Sequence, residues 1–206
     1  MKQNDCDKCG KCKDKAEKDL SLCEHLYTIL IYSENVPGLL SQISAIFTRR
    51  QVNIETLNVC ASSTPGVHKY TVVCCCTEPM VIMLTKQIEK RIDVLQARYY
   101  TDDEIFINET SLLKIATPIM LEDARVSEAI REHNARIIEV NPTYATAEKT
   151  GSTEEILSLY NTLNAMGAVL QFVRSGRICI TKSKAEHLDE FIARREKEKD
   201  CNHKNS

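Results

Sequence analysis

Residues 25–47 read HLYTILIYSENVPGLLSQISAIF, and a change of period inside this stretch decides the fold. Residues 25–33 are rich in β-branched and aromatic side chains, the composition of a strand. Glu34-Asn35-Val36-Pro37-Gly38 then makes a turn. Beyond it Leu39, Leu40, Ile43, Ile46 and Phe47 follow the i, i+3, i+4, i+7 rhythm of an amphipathic helix. Pro37 suits the start of that helix, where its missing N–H is not needed. Arg49 and Arg50 fall in its last turn, where positive charge complements the helix dipole.

Outward from this strand–turn–helix the pattern continues. Gln51-Val52-Asn53 turns the chain into a strand over Ile54–Ala61. Ser62-Ser63-Thr64-Pro65-Gly66 is a turn signal before a returning strand over 68–77. Pro79 opens a second helix with Val81, Leu84 and Ile88 inward, and a strand over 92–99 closes a βαββαβ order. After the acidic turn at 101–104 the same order returns. A strand over 112–117 precedes a helix over 118–134 with Val126 and Ile130 on one face, then strands over 135–140 and 143–147. Ser152, with Glu155 three residues on, signals a capping box for a helix reaching Met166. Residues 169–181 finish the set, broken at Ser175-Gly176. The fold class is therefore α+β: two tandem ferredoxin-like βαββαβ domains, each sheet covered on one face by two helices. The expected boundaries are a tail at 1–24, a first domain at 25–101, a linker at 102–110, a second domain at 111–192 and a charged tail at 193–206. Both tails mix Lys with Asp and Glu and have few apolar residues, too little to offset chain entropy by burial.

The 206 residues suffice for two domains of about 100 each. A net charge of −2, no Trp and 5% aromatic residues argue against a nucleic-acid partner. No run approaches the ~18 apolar residues of a membrane span. The polar N-terminus lacks the apolar core of an export signal, so the expectation is a cytoplasmic protein whose ten cysteines stay thiols. Cys74-Cys75-Cys76 sits in a strand-like run and reads as small buried hydrophobes. His25, His68, His133, His187 and His203 are scattered and fit no metal or nucleophile pattern, so no catalytic residue is expected. Cys6, Cys9 and Cys12 make a C-x2-C-x2-C run with Cys23 further on, a spacing that can converge on zinc or an iron–sulfur cluster. No folded frame surrounds it, and the reading adopted is a reduced tail without metal.

The turn at 35–38 carries the chemistry. A strand-to-helix turn leaves the first helical N–H groups unpaired, where the dipole favours an anion. Gly38 lets a carboxylate approach the backbone closely. Asn35 can offer an oxygen to an ammonium group or its NH2 to a carboxylate, and Asn53 after the helix is a second neutral polar group. The set suits a free zwitterionic amino acid, although a Pro-Gly turn with an Asn is also common at βα junctions.

Residues 27–101 resemble an ACT domain, a small-molecule sensing module. Two motifs carry the likeness: Ser33-Glu34-Asn35-Val36-Pro37-Gly38-Leu39-Leu40 and Arg50-Gln51-Val52-Asn53-Ile54-Glu55-Thr56-Leu57. Their pairing is similar to the small subunits of acetolactate synthase in particular. Leu113-Lys114-Ile115, Ile137-Ile138-Glu139-Val140, Thr150-Gly151-Ser152 and Val173-Arg174-Ser175-Gly176 resemble that family's C-terminal domain. The resemblance covers about residues 26–182. It implies a non-catalytic regulatory subunit that dimerises through its ACT domains, sheet edge to sheet edge. The effector, usually valine, would sit between the βα turn of one protomer and its partner. Carried over by position, Asn35, Val36, Pro37, Gly38 and Leu39 would hold it, with Asn53 and Ile54 contributing. The resemblance also implies a catalytic large subunit as partner. That subunit would hold thiamine diphosphate, magnesium and FAD, leaving no cofactor in this chain. The cysteine-bearing N-terminal extension falls outside the family core, and Leu39 is bulkier than the residue common there. The alternative is a free-standing ACT sensor acting on transcription or on another enzyme. The second-domain motifs weigh against it.

Overall fold

The computed structural model describes residues 25–183. The expected tails, the run Cys6, Cys9, Cys12 and Cys23, and the end of the second domain at 192 lie outside the described residues. The chain divides into two compact units, with the boundary at Asp102 and Asp103.

The first unit holds β1 (His25–Glu34), α1 (Leu39–Arg49), β2 (Ile54–Ala61), β3 (Val67–Cys76), α2 (Glu78–Glu89) and β4 (Val94–Tyr100). Its antiparallel sheet has the order β2-β3-β1-β4. Tyr27, Ile29 and Ile31 of β1 join Ile43 and Phe47 of α1 and Leu84 and Ile88 of α2 in one core. Thr28, Leu30 and Tyr32, on the opposite face of the strand, are buried as well. Burial on both faces is why this segment reads as a near-continuous apolar run rather than an alternation. Each fully buried Ile, Leu or Phe stabilises the fold by roughly 1.5–3 kcal/mol.

Two details of the expected helix change. Leu40 lies off the inward stripe and is 41% exposed, while Leu39, Ile43, Ile46 and Phe47 face the core. Pro37 stands ahead of the helix rather than in its first turn, and Gly38 is the residue just before it. The strand after α2 starts at Val94, two residues later than expected, because Ile92 lies in an exposed turn at 84%. Cys74 and Cys76 are buried free thiols, as expected of small hydrophobes. Cys75, half-buried, is disulfide-bonded, so the expectation of thiols throughout fails there.

The second unit repeats the plan with β5 (Ile105–Ala116), α3 (Thr117–Glu122), α4 (Ala124–Glu132), β6 (Arg136–Val140), β7 (Tyr144–Gly151), α5 (Thr153–Ala165), β8 (Val169–Arg174) and β9 (Ile178–Thr181). The order β6-β7-β5-β8 matches that of the first sheet, and β9 pairs with the opening residues of β5. Residues 105–110, expected as linker, are therefore strand. Ile105 to Asn108 pair with β9, and Glu109 to Ala116 pair with β7. Loop composition hid them, since Asn108, Glu109 and Thr110 interrupt the apolar pattern.

The single helix expected over 118–134 is two. Asp123, with φ −112° and ψ 103°, breaks it and caps α4 by accepting from the Arg125 N–H at 3.0 Å. Val126 and Ile130 are buried as expected, beside Leu113, Ile115, Leu159 and Leu163. Ser152 opens α5 with the full capping box. Its hydroxyl accepts from the Glu155 N–H at 3.2 Å, and the Glu155 carboxylate accepts from the Ser152 N–H at 3.2 Å.

Candidate functional site

The corner at Asn35 to Leu39 is built by three elements of the first unit. β1 ends at Glu34, whose N–H donates to the Asp93 carbonyl ahead of β4 at 2.9 Å. The Asn35 N–H donates to the Gly66 carbonyl before β3 at 3.2 Å, and the Val36 N–H donates to the Glu34 carbonyl at 3.0 Å. The turn is thus fixed by backbone bonds on both sides, which leaves the Asn35 side chain exposed and uncommitted to holding it. Gly38 adopts φ +86°, and a Cβ placed there would meet nothing within 4 Å. Backbone conformation, not crowding, therefore calls for glycine, and the space above it is open to a ligand.

Leu39 is fully buried and anchors α1 to the core, whereas Val36, Pro37 and Gly38 are exposed. No side chain caps α1 and no acidic residue lies in its first turn. Its leading N–H groups thus present a partial positive charge that no carboxylate of the helix neutralises. Such a start can accept a carboxylate. Asn35 can complement an ammonium group.

Asn53 and Ile54 lie elsewhere. Glu34 pairs with Val67 in register and the Ser62 N–H donates to the Val67 carbonyl, so the hairpin end of β2 shares the Asn35 end of the sheet. Asn53 precedes the other end of β2. The eleven residues of α1 separate the two asparagines by about 16 Å along the helix. Asn53 is exposed and its Nδ2 donates to Glu55 Oε1 at 3.0 Å, while Ile54 is half-buried against the core. The fold brings Asn35, Val36, Pro37, Gly38 and Leu39 together. It does not bring Asn53 to them within one chain.

A second polar constellation, in the second unit, escaped the sequence reading. The Glu109 side chain is 1% exposed and receives the Thr153 hydroxyl at 2.6 Å and Arg174 Nη1 at 3.4 Å, with Arg177 Nε at 3.9 Å. The Thr150-Gly151-Ser152 and Arg174-Ser175-Gly176 motifs flank these partners. A Cβ at Gly151 would run into the Glu155 carboxylate that closes the capping box. The signal for Glu109 was its parity with Ser111, Leu113 and Ile115 on one strand face, visible only once the strand is extended back to Ile105. Among the described residues no group of three or more His, Cys, Asp or Glu side chains could hold a metal. No helix among them is long and apolar enough to cross a membrane.

Residues 29–96 match the family model for the AHAS small subunit-like ACT domain, and residues 108–183 that for the small subunit of acetolactate synthase. The chain is 30% identical over 156 residues to the acetolactate synthase small subunit of Mycobacterium leprae, covering 76% of this chain and 91% of that one. It is 31% identical over 143 residues to the Bacillus subtilis acetolactate synthase small subunit, covering 69% and 82%. It is 28% identical over 158 residues to a probable acetolactate synthase small subunit of Methanothermobacter thermautotrophicus, covering 77% and 92%. The crystal structure of the Thermotoga maritima small subunit superposes with a TM-score of 0.71 at 20% identity over 78% of this chain and 99% of that one, a likeness of fold.

Proposed function

The chain belongs to the family of acetolactate synthase small subunits, and from that premise we propose that it is a regulatory subunit that activates a catalytic large subunit and confers feedback inhibition by a branched-chain amino acid, valine foremost. The catalytic partner supplies thiamine diphosphate, magnesium and FAD; this chain contributes no reacting group. The complex works in the cytoplasm.

The observation that carries this reading is the uncapped start of α1 at an exposed Asn-Val-Pro-Gly turn. The α-carboxylate of the effector is held by the leading amides of α1 over Gly38, and its ammonium group by Asn35. Asn53 enters from a second copy. Two sheets joined antiparallel through their β2 edges carry the partner's β2 in the opposite direction, so Asn53 of the partner subunit comes to the Asn35 end. Effector binding then ties the two protomers together. A ligand that binds one arrangement of the complex about 5–150-fold more tightly shifts the equilibrium between arrangements by about 1–3 kcal/mol.

Gly38→Asp tests the corner. Asp tolerates a left-handed backbone better than most residues, so the fold survives while its charge opposes the effector carboxylate. In reconstitution with the large subunit, feedback inhibition by valine is lost and activation is kept. Gly38→Asn, similar in shape but neutral, loses less. Valine binding by calorimetry that is unchanged in Gly38→Asp would show the corner to be misassigned.

A further inference from the structure

The two helices of the first unit carry the same spacing toward one shared space. Ile46 and Arg49 of α1 and its C-cap Arg50 stand at i, i+3 and i+4, and Gln87 of α2 is followed at that spacing by its C-cap Lys90 and by Arg91 in the bend beyond. Together these six residues line a cavity of about 400 Å³. Within α1, Ile46 and Arg49 share one side of the helix. β1 and β3 are antiparallel and each is followed by a helix that returns along the sheet, so α1 and α2 run in opposite directions. Helical side chains lean toward their own N-terminus. Arg49 and Arg50 line the cavity from the C-terminal end of α1, and Lys90 and Arg91 from just past the C-terminal end of α2. Ile46, 4% exposed, gives the cavity an apolar floor.

Among the described residues none of these four cations forms an ion pair or a side-chain hydrogen bond. Helix dipoles do not account for them all. Each C-terminus counts for roughly half a negative charge, so two ends offset about one of the four positive charges. The surplus sits in a chain whose net charge is −2, so it reflects placement rather than bulk composition. Arginine forks match phosphate oxygens two at a time, and a cavity of this size falls within the range of small-ligand sites.

We propose that the seam between α1 and α2 binds a small multivalent anion of the phosphate class, held by Arg49, Arg50, Lys90 and Arg91 with the Gln87 amide as a further donor. The cavity is lined by none of the residues assigned to the Asn35 corner.

Calorimetry on the full chain tests the assignment with inorganic pyrophosphate as the probe, against chloride at matched ionic strength. Pyrophosphate binds at about one per chain and chloride does not compete. Lys90→Gln with Arg91→Gln, and separately Arg49→Gln with Arg50→Gln, each weaken binding at least tenfold, with the far-ultraviolet circular dichroism unchanged. Absence of pyrophosphate binding, or wild-type binding by both double variants, overturns the proposal. Saturable binding of hexaglutamate without binding of pyrophosphate also overturns it, in favour of an acidic protein segment.

Discussion

Gly38 and Glu109 show two ways in which one residue constrains this protein. The fold requires Gly38 for its backbone angle and not for want of space, since a side chain there would have room. Glu109 is required for its charge. Its carboxylate is buried at 1% exposure, while Arg174 at 35% and Arg177 at 14% keep some contact with water. Removing one member of a buried ion pair leaves the other without compensation, which is costlier than losing a surface pair. Glu109→Gln should therefore destabilise the second unit by about 1–3 kcal/mol. Hydrogen exchange of the α5 amides will speed up in proportion, because Thr153 anchors the start of that helix to Glu109. Wild-type exchange rates in the variant would show that the cluster contributes nothing to stability.

Helix caps set the elements of the second unit. Ser152 and Glu155 close α5 reciprocally, a device spelled out in four consecutive positions. Asp123 is less legible, since the same side chain can sit inside a helix. Here it accepts from the Arg125 N–H and pairs with the Arg125 guanidinium at 2.8 Å, and these bonds hold its carboxyl below the usual carboxylate range. A carboxyl depressed in the folded state adds stability that is present above its unfolded pKa of about 3.9 and is lost as pH falls through the folded value. α4 should therefore keep its order from neutral pH to about pH 4 and fray below it, read from the Arg125 amide resonance. Asp123→Asn should keep the cap and remove that pH dependence, because Asn caps as well as Asp. An Arg125 amide shift that stays flat down to pH 2 in the wild-type protein would contradict this.

For the whole molecule, the separation of Asn35 from Asn53 has a direct consequence. If both serve one effector, they come from different copies, and the damage from two single variants can be segregated. A homodimer of Asn35→Ala lacks one partner at both seats, and a homodimer of Asn53→Ala lacks the other. Mixing the two regenerates one intact seat and leaves one doubly damaged. The mixed dimer should bind valine at half the wild-type stoichiometry with wild-type affinity. Mixed dimers that bind no better than either parent would mean that the two asparagines do not meet across the seam.

Local sequence determined the elements whose cause is local. The change of period across residues 25–47, the Pro37-Gly38 turn and the Ser152–Glu155 box each depend on neighbours within a few positions, and each stands in the fold where it was read. The repeated βαββαβ order follows from them. Tertiary structure alone decided what depends on partners far along the chain. Residues 105–108 become strand because β9, some seventy residues on, offers them a ladder. Glu109 can be buried because Thr153, Arg174 and Arg177 arrive from other elements. Asn53 sits one helix length from Asn35 although the two motifs read as one site. A carboxylate in a strand, or two asparagines eighteen positions apart, has no fixed meaning until the chain path sets which groups share a space.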